Sequence, residues 1–143
     1  MSRISIVLIV VFTFVACNKN KCTDSGAFNF DSEENCMFTK AIFYAGSNKV
    51  GGNGNLIVRI EVFRRILNED EKIGEIANLQ EENSAPSGCA IPEKGIEYKF
   101  TETTTDAIFT TRYYFENGIE EAGETYTIST SSTQECIVNN LTL

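Results

Sequence analysis

Asn55-Leu56-Ile57-Val58-Arg59-Ile60-Glu61-Val62-Phe63-Arg64-Arg65-Ile66-Leu67 is the stretch whose reading decides the fold. Leu56, Val58, Ile60 and Val62 alternate with Ile57, Arg59, Glu61 and Phe63, the period-2 pattern of a strand with one buried face. A helix competes, because Ile60, Phe63, Leu67, Ile73, Ile76 and Leu79 would share one side and Glu and Leu favour helices. Val and Ile dominate the stretch, however, and branched side chains suit a pleated sheet better than a helical turn. The segment is therefore a strand.

Working outward, the same signature recurs. Residues 38–44 form a strand, and 46–55, with four glycines and three asparagines, a loop between strands. Residues 68–71 make a polar turn and 72–77 a further strand. An exposed loop carrying Pro86 spans 81–88. Ile96, Tyr98 and Phe100 alternate with Glu97, Lys99 and Thr101 in the cleanest strand of the chain. Strands over 108–115, 124–130 and 137–143 follow, with Asn117-Gly118 as a turn signal. About seven short strands separated by turns predict an all-β sandwich.

The N-terminus reads differently. Arg3 gives a positive start, 4–15 form an apolar run of 12 residues, and small Ala16 precedes Cys17. A membrane-crossing helix needs roughly 20 residues, so the run is a leader rather than a retained span. Phe14-Val15-Ala16-Cys17 resembles the bacterial lipobox, with Phe14 where Leu is usual. That resemblance implies a leader over 1–16 and a diacylglycerol on the Cys17 thiol. It also implies acylation, as by palmitate, of the amine freed by cleavage. Two or more acyl chains anchor a protein stably, whereas one holds it marginally.

Composition then excludes whole classes. Losing Arg3 with the leader takes the net charge from −8 to −9. The one dense basic cluster, Arg59, Arg64 and Arg65, is surrounded by Glu61, Glu69, Asp70 and Glu71. Such a surface repels a phosphate backbone, so nucleic acid is not the expected partner. The chain has no histidine, which excludes Ser-His-Asp and Cys-His nucleophiles and His-ligated zinc. Carboxylate-pair chemistry survives, since glycosidases need only Asp or Glu. No other cofactor is implied.

Five cysteines leave one over in an exported protein, and lipidation of Cys17 accounts for it. Cys22, Cys36, Cys89 and Cys136 remain, and four cysteines allow three pairings. Cys22 with Cys36 and Cys89 with Cys136 is preferred, because the first two bracket a compact segment of their own. Thiolate metal binding is disfavoured by the lack of a CxxC spacing and by the oxidising compartment.

Residues 22–36 are rich in turn-forming Asp, Ser, Asn and Gly. Cys22, Thr23, Asp24, Ala27, Asn29, Phe30, Asp31 and Cys36 resemble a short Cys-loop of exported Bacteroidota-type proteins. Its usual Pro and Asp-Gly-Ser are missing here. Asp24, Asn29 and Asp31 are the calcium-ligand candidates, as clustered side-chain oxygens suit calcium, but the EF-hand-like series is absent. A solvated turn held by a disulfide is the preferred reading.

Ile73-Gly74-Glu75-Ile76, Ser87-Gly88-Cys89 and Glu135-Cys136-Ile137 resemble small β-domains of exported Bacteroidota-type lipoproteins. That resemblance supports the Cys89–Cys136 bridge and implies a single sandwich of immunoglobulin-like or PEGA-like kind, with no shared catalytic activity.

Two further stretches are weighed and set aside. The Gly-rich 46–54 lacks Gly-Lys-Ser/Thr and opens no helix, so it is a hairpin loop rather than a phosphate cradle. In Arg112-Tyr113-Tyr114-Phe115, alternation sends Tyr114 to one face and Tyr113 with Phe115 to the other, at least one of them core.

The chain therefore divides into a leader at 1–16, a lipidated tether with Cys-loop at 17–36 and a sandwich at 37–143. The expectation is a non-catalytic interaction or structural module, anchored by lipid at the cell envelope, in the outer membrane by lineage. Its partner would be an envelope protein or glycan. A carboxylate-dependent glycan hydrolase and a solute-binding lipoprotein are the alternatives; the first needs paired acids in a cleft, the second an apolar pocket.

Overall fold

The computed structural model describes residues 21–46, 50–51, 54–79, 84–102, 106–130 and 133–141. The leader, Cys17 and residues 18–20 of the tether lie outside them.

Among the described residues the chain forms seven strands and no helix. They are β1 Lys40–Tyr44, β2 Ile57–Ile66, β3 Glu69–Ala77, β4 Ile96–Lys99, β5 Ala107–Phe115, β6 Glu120–Ile128 and β7 Cys136–Asn140. Two sheets result, one ordered β4-β1-β7 and the other β3-β2-β5-β6. The expected all-β sandwich is present. In the constant-type immunoglobulin order, strands 1, 2, 5 and 4 would share one sheet; here the first strand joins the fourth and the last. Strands β1 and β7 run parallel, while every other pair is antiparallel. A parallel pair needs a long crossover, and these two strands have nearly the whole domain between them.

The core lies between the sheets. Phe43 from β1 meets Phe109 from β5 with ring centroids 5.1 Å apart, and Tyr98 from β4 meets Phe109 at 5.3 Å. Tilted and edge-on arrangements of this kind add to the gain from burial alone. On β5 alternation is strict: Phe109, Thr111, Tyr113 and Phe115 are buried, and the residues between them are half-exposed. At one edge β3 and β4 close together, where a Cβ on Gly74 would sit 3.1 Å from the Ile96 side chain.

Strand β2 departs from simple alternation. Its buried apolar residues are Ile57, Ile60 and Val62, while Leu56 and Val58 are only half-buried. The pairing with β5 shifts between Ile57 and Arg59. One extra residue at that point exchanges the two faces of the strand, as a bulge does.

The polar turn expected over 68–71 is also shorter. Leu67 and Asn68 alone form it, both at positive φ (49° and 72°), as a two-residue type I′ hairpin requires. Acidic Glu69, Asp70 and Glu71 consequently belong to β3. Arg65 secures this end by donating to both oxygens of Asp70, at 2.9 and 3.1 Å. Leu67 is 94% exposed.

Candidate functional site

Charged and aromatic side chains gather on the outer face of the four-stranded sheet. Ile60 and Val62 on β2 and Thr111 and Tyr113 on β5 point into the core. Period-2 geometry therefore turns Arg59, Glu61 and Phe63 outward on β2, and Arg112 and Tyr114 outward on β5. The register sets Arg59 opposite Tyr114, and Glu61 opposite Arg112 on one side and Glu75 of β3 on the other.

Glu61 is the centre of this face and is only 7% exposed. Lys72 Nζ donates to its Oε1 at 2.7 Å, and the Tyr114 hydroxyl donates to its Oε2 at 2.8 Å. Lys72 also donates to Glu75 Oε2 at 2.7 Å, which relieves the opposition of two carboxylates across β2 and β3. The Arg59 guanidinium lies 3.9 Å from the centre of the Tyr114 ring, and its Nη2 is 3.9 Å from Glu61 Oε1. Arg112 stacks on Phe63 at 4.9 Å and pairs with Glu120 at 3.0 Å. Planar guanidinium groups stack on aromatic faces in this way while keeping donors free for carboxylates.

Burial pushes the Glu61 carboxyl up. Hydrogen bonds from Lys72 and Tyr114, with the charges of Lys72 and Arg59, outweigh burial and hold it below the usual carboxylate range. Donating to Glu61 and Glu75 in turn holds the Lys72 ammonium above the usual lysine range. A carboxylate so clamped stays ionised, whereas the acid of a glycosidase pair needs a raised pKa. The arrangement presents fixed charges and rings on a sheet surface.

A stability prediction follows from that linkage. The folded carboxyl ionises more readily than the unfolded one. Its contribution is therefore complete above the ordinary glutamate range and vanishes as pH falls through the lowered value. Glu61→Gln is expected to cost about 1 kcal/mol at neutral pH, because Lys72 and Arg59 remain partly solvated. Thermal unfolding of parent and variant from about pH 7 to about pH 3 should show the gap closing toward the acid end. A gap independent of pH would show that packing, not charge, sets the cost.

The cysteines pair as preferred, Cys22 with Cys36 and Cys89 with Cys136. Within the first loop the calcium candidates are occupied with turn formation. Asp24 Oδ1 accepts from the Gly26 N–H at 2.9 Å. Asn29 Oδ1 accepts from the Met37 N–H at 2.6 Å, and its Nδ2 donates to Ser32 Oγ and the Asn35 carbonyl. Asp31, at φ 69°, pairs with Lys21. Among the described residues no three His, Cys, Asp or Glu side chains stand close enough together to hold a metal ion.

Between this loop and the three-stranded sheet lies an open cleft of about 280 Å³, lined by Phe28, Met37, Phe38, Phe100, Lys40 and Lys99 among others. Ligand pockets usually exceed about 300 Å³. Its lysines are both engaged with Glu97, at 3.2 and 3.4 Å.

Of the aromatic run, Tyr113 and Phe115 are core and Tyr114 alone joins the outer face. Sequence reasoning took Arg59 and Glu61 as one side of the strand alternation and as part of a charge cluster that argues against nucleic acid. It placed Arg112 beside the tyrosines without a role, and gave Lys72 none. The usable signal was the alternation itself, which sets Arg59 and Glu61 on the side opposite Ile60 and Val62. Comparison with known proteins finds no family model, no curated protein and no solved structure that matches this chain, so its reading rests on its own residues.

Proposed function

We propose that the chain is a lipid-anchored protein of the bacterial cell envelope whose sandwich is a non-catalytic interaction module. The observation that carries the module reading is the outer face around Glu61. Its deepest carboxylate is held ionised by Lys72 and Tyr114, and its rings are capped by arginines, which suits recognition of a partner surface rather than proton transfer. Two disulfides in a domain of this size agree with an oxidising, exported setting. The anchor rests on the apolar leader and the lipobox-like Phe14-Val15-Ala16-Cys17, and the outer membrane on Asn18, rather than Asp, after the acylated residue.

Fractionation of the native host tests the anchor. Cys17→Ala is expected to move the protein from the membrane pellet to the soluble fraction after an alkaline wash. Retention in the pellet would sink the lipid anchor. The module reading is tested by incubating the purified protein with envelope glycans. Hydrolysis that disappears in Glu61→Gln would replace it with an enzyme.

A further inference from the structure

The two sheets have four edges, and three of them are protected against pairing. Strand β3 carries Glu69, Asp70, Glu71, Lys72 and Glu75, and a register shift interrupts it. Strand β6 carries Glu120, Glu121 and Glu124 and is likewise interrupted. Strand β4 is four residues long and holds Glu97 and Lys99. Charges, shortness and bulges are the usual means of blunting an edge. Strand β7, Cys136-Ile137-Val138-Asn139-Asn140, has no charge, no proline and no shift in its register with β1.

Its open side is defined by its bonds to β1. The Lys40 N–H donates to the Glu135 carbonyl at 3.0 Å, and the Leu141 N–H donates to the Tyr44 carbonyl at 2.7 Å. In a parallel ladder alternate residues of each strand face the partner. Residues 135, 137, 139 and 141 therefore turn their backbone groups toward β1, and Cys136, Val138 and Asn140 turn theirs away. Among the described residues no strand pairs with that side. Val138, at its middle, is 41% exposed.

We infer that β7 is a pairing edge for a second copy of this chain, joined antiparallel about a two-fold axis at Val138. In that register Val138 faces Val138 of the second copy, and Cys136 faces Asn140, so every outward backbone group meets its complement. A copy of this strand is the one edge that matches β7 in length and carries neither charge nor register shift. The bulges in β3 and β6 would break a ladder with it, and those two edges do not pair with themselves either. An antiparallel self-pair centred on β6 would set Glu124 against itself, and one centred on β3 would set Glu71 against Glu75. Like charges directly opposite are destabilising. Self-pairing through β7 opposes none. The inference holds whether or not Cys17 carries lipid.

The test uses the full chain in detergent, with its disulfides intact. Sedimentation should find a dimer for the parent and a monomer for Val138→Lys, which places two ammonium groups face to face at the axis, with the far-UV β-sheet signal unchanged and Tm no longer dependent on protein concentration. Val138→Cys should cross-link to itself under mild oxidation. Hydrogen-bonded antiparallel partners stand about 5.5 Å apart at Cα, within the roughly 4.4–6.8 Å that a disulfide spans. Leu67→Cys, at the distant hairpin tip, should not cross-link. A monomeric parent, a dimeric Val138→Lys, or no cross-link from Val138→Cys would each overturn the inference. So would a monomeric parent whose Val138→Cys links to a different envelope protein, since the edge would then serve a foreign strand.

Discussion

Replacing Cys89 and Cys136 together by alanine is expected to lower the unfolding free energy by about 4 kcal/mol. The bridge closes a loop with a sequence separation of 47 residues, against 14 for Cys22–Cys36, whose removal should cost about 3 kcal/mol. Loop-closure entropy grows with the logarithm of loop length, which accounts for the modest difference. The longer bridge also joins the connection before β4 to the start of β7, strands of one sheet that do not pair with each other. Cys136 opens β7, whose strand partner is β1, and Cys89 stands in the connection leading into β4 on the other side of β1. Urea unfolding under oxidising conditions, with both residues replaced so that no free thiol is left, checks the value. Tm should fall by roughly 10–20 °C for a domain of this size. A loss below about 1 kcal/mol would show that the unfolded chain is already compact without the bridge.

Gly123→Ala carries the second large effect, about 2–3 kcal/mol of destabilisation. Strand β5 pairs with β6 as Thr110 with Thr125 and then Arg112 with Ala122, so Thr111 faces Gly123 and Glu124 together. Its hydroxyl donates to the Glu124 carbonyl at 3.2 Å. A Cβ on Gly123 would lie 2.8 Å from Tyr113 Cζ and closer still to Thr111 Oγ1. Both neighbours are buried, Tyr113 completely, so neither has room to withdraw. Gly118→Ala is the informative comparison. It meets nothing within 4 Å but sits at φ +80°, so its cost is backbone strain alone, about 1 kcal/mol. Equilibrium unfolding of the two variants should rank Gly123→Ala as clearly the worse. The reverse order would mean that the bulge relaxes to admit a methyl group.

Strands were legible where their pattern was undisturbed. In β5 the β-branched and aromatic residues marked the strand and alternation parted Tyr114 from Tyr113 and Phe115, but only burial showed that Tyr113 and Phe115 are the core side. Asn117-Gly118 correctly marked the turn between β5 and β6, with the Gly118 N–H donating to the Phe115 carbonyl. The strand over 96–101 was seen, but hydrogen bonding ends at Lys99. The acidic start of β3 was mistaken for turn because Glu and Asp are poor strand formers by themselves. Pairing with Arg64, Arg65 and Ile66 across the hairpin overrides that local preference. Glu61, the centre of the candidate face, could be seen as outward-facing but not as buried. Its burial depends on Lys72, Tyr114 and Arg59 arriving from three strands.

By itself the sequence determined the features set by neighbours along the chain: the alternation that makes strands, the Gly- and Asn-rich turns and the Cys22–Cys36 loop. Only the tertiary structure decided which strands share a sheet, where β2 exchanges its faces, that β7 ends a sheet with one side open, and that Glu61 is enclosed. Periodicity is a property of one strand, whereas register, edges and burial arise between strands far apart in sequence. A bulge of a single residue reverses every side chain beyond it, and its position is fixed by the partner strand.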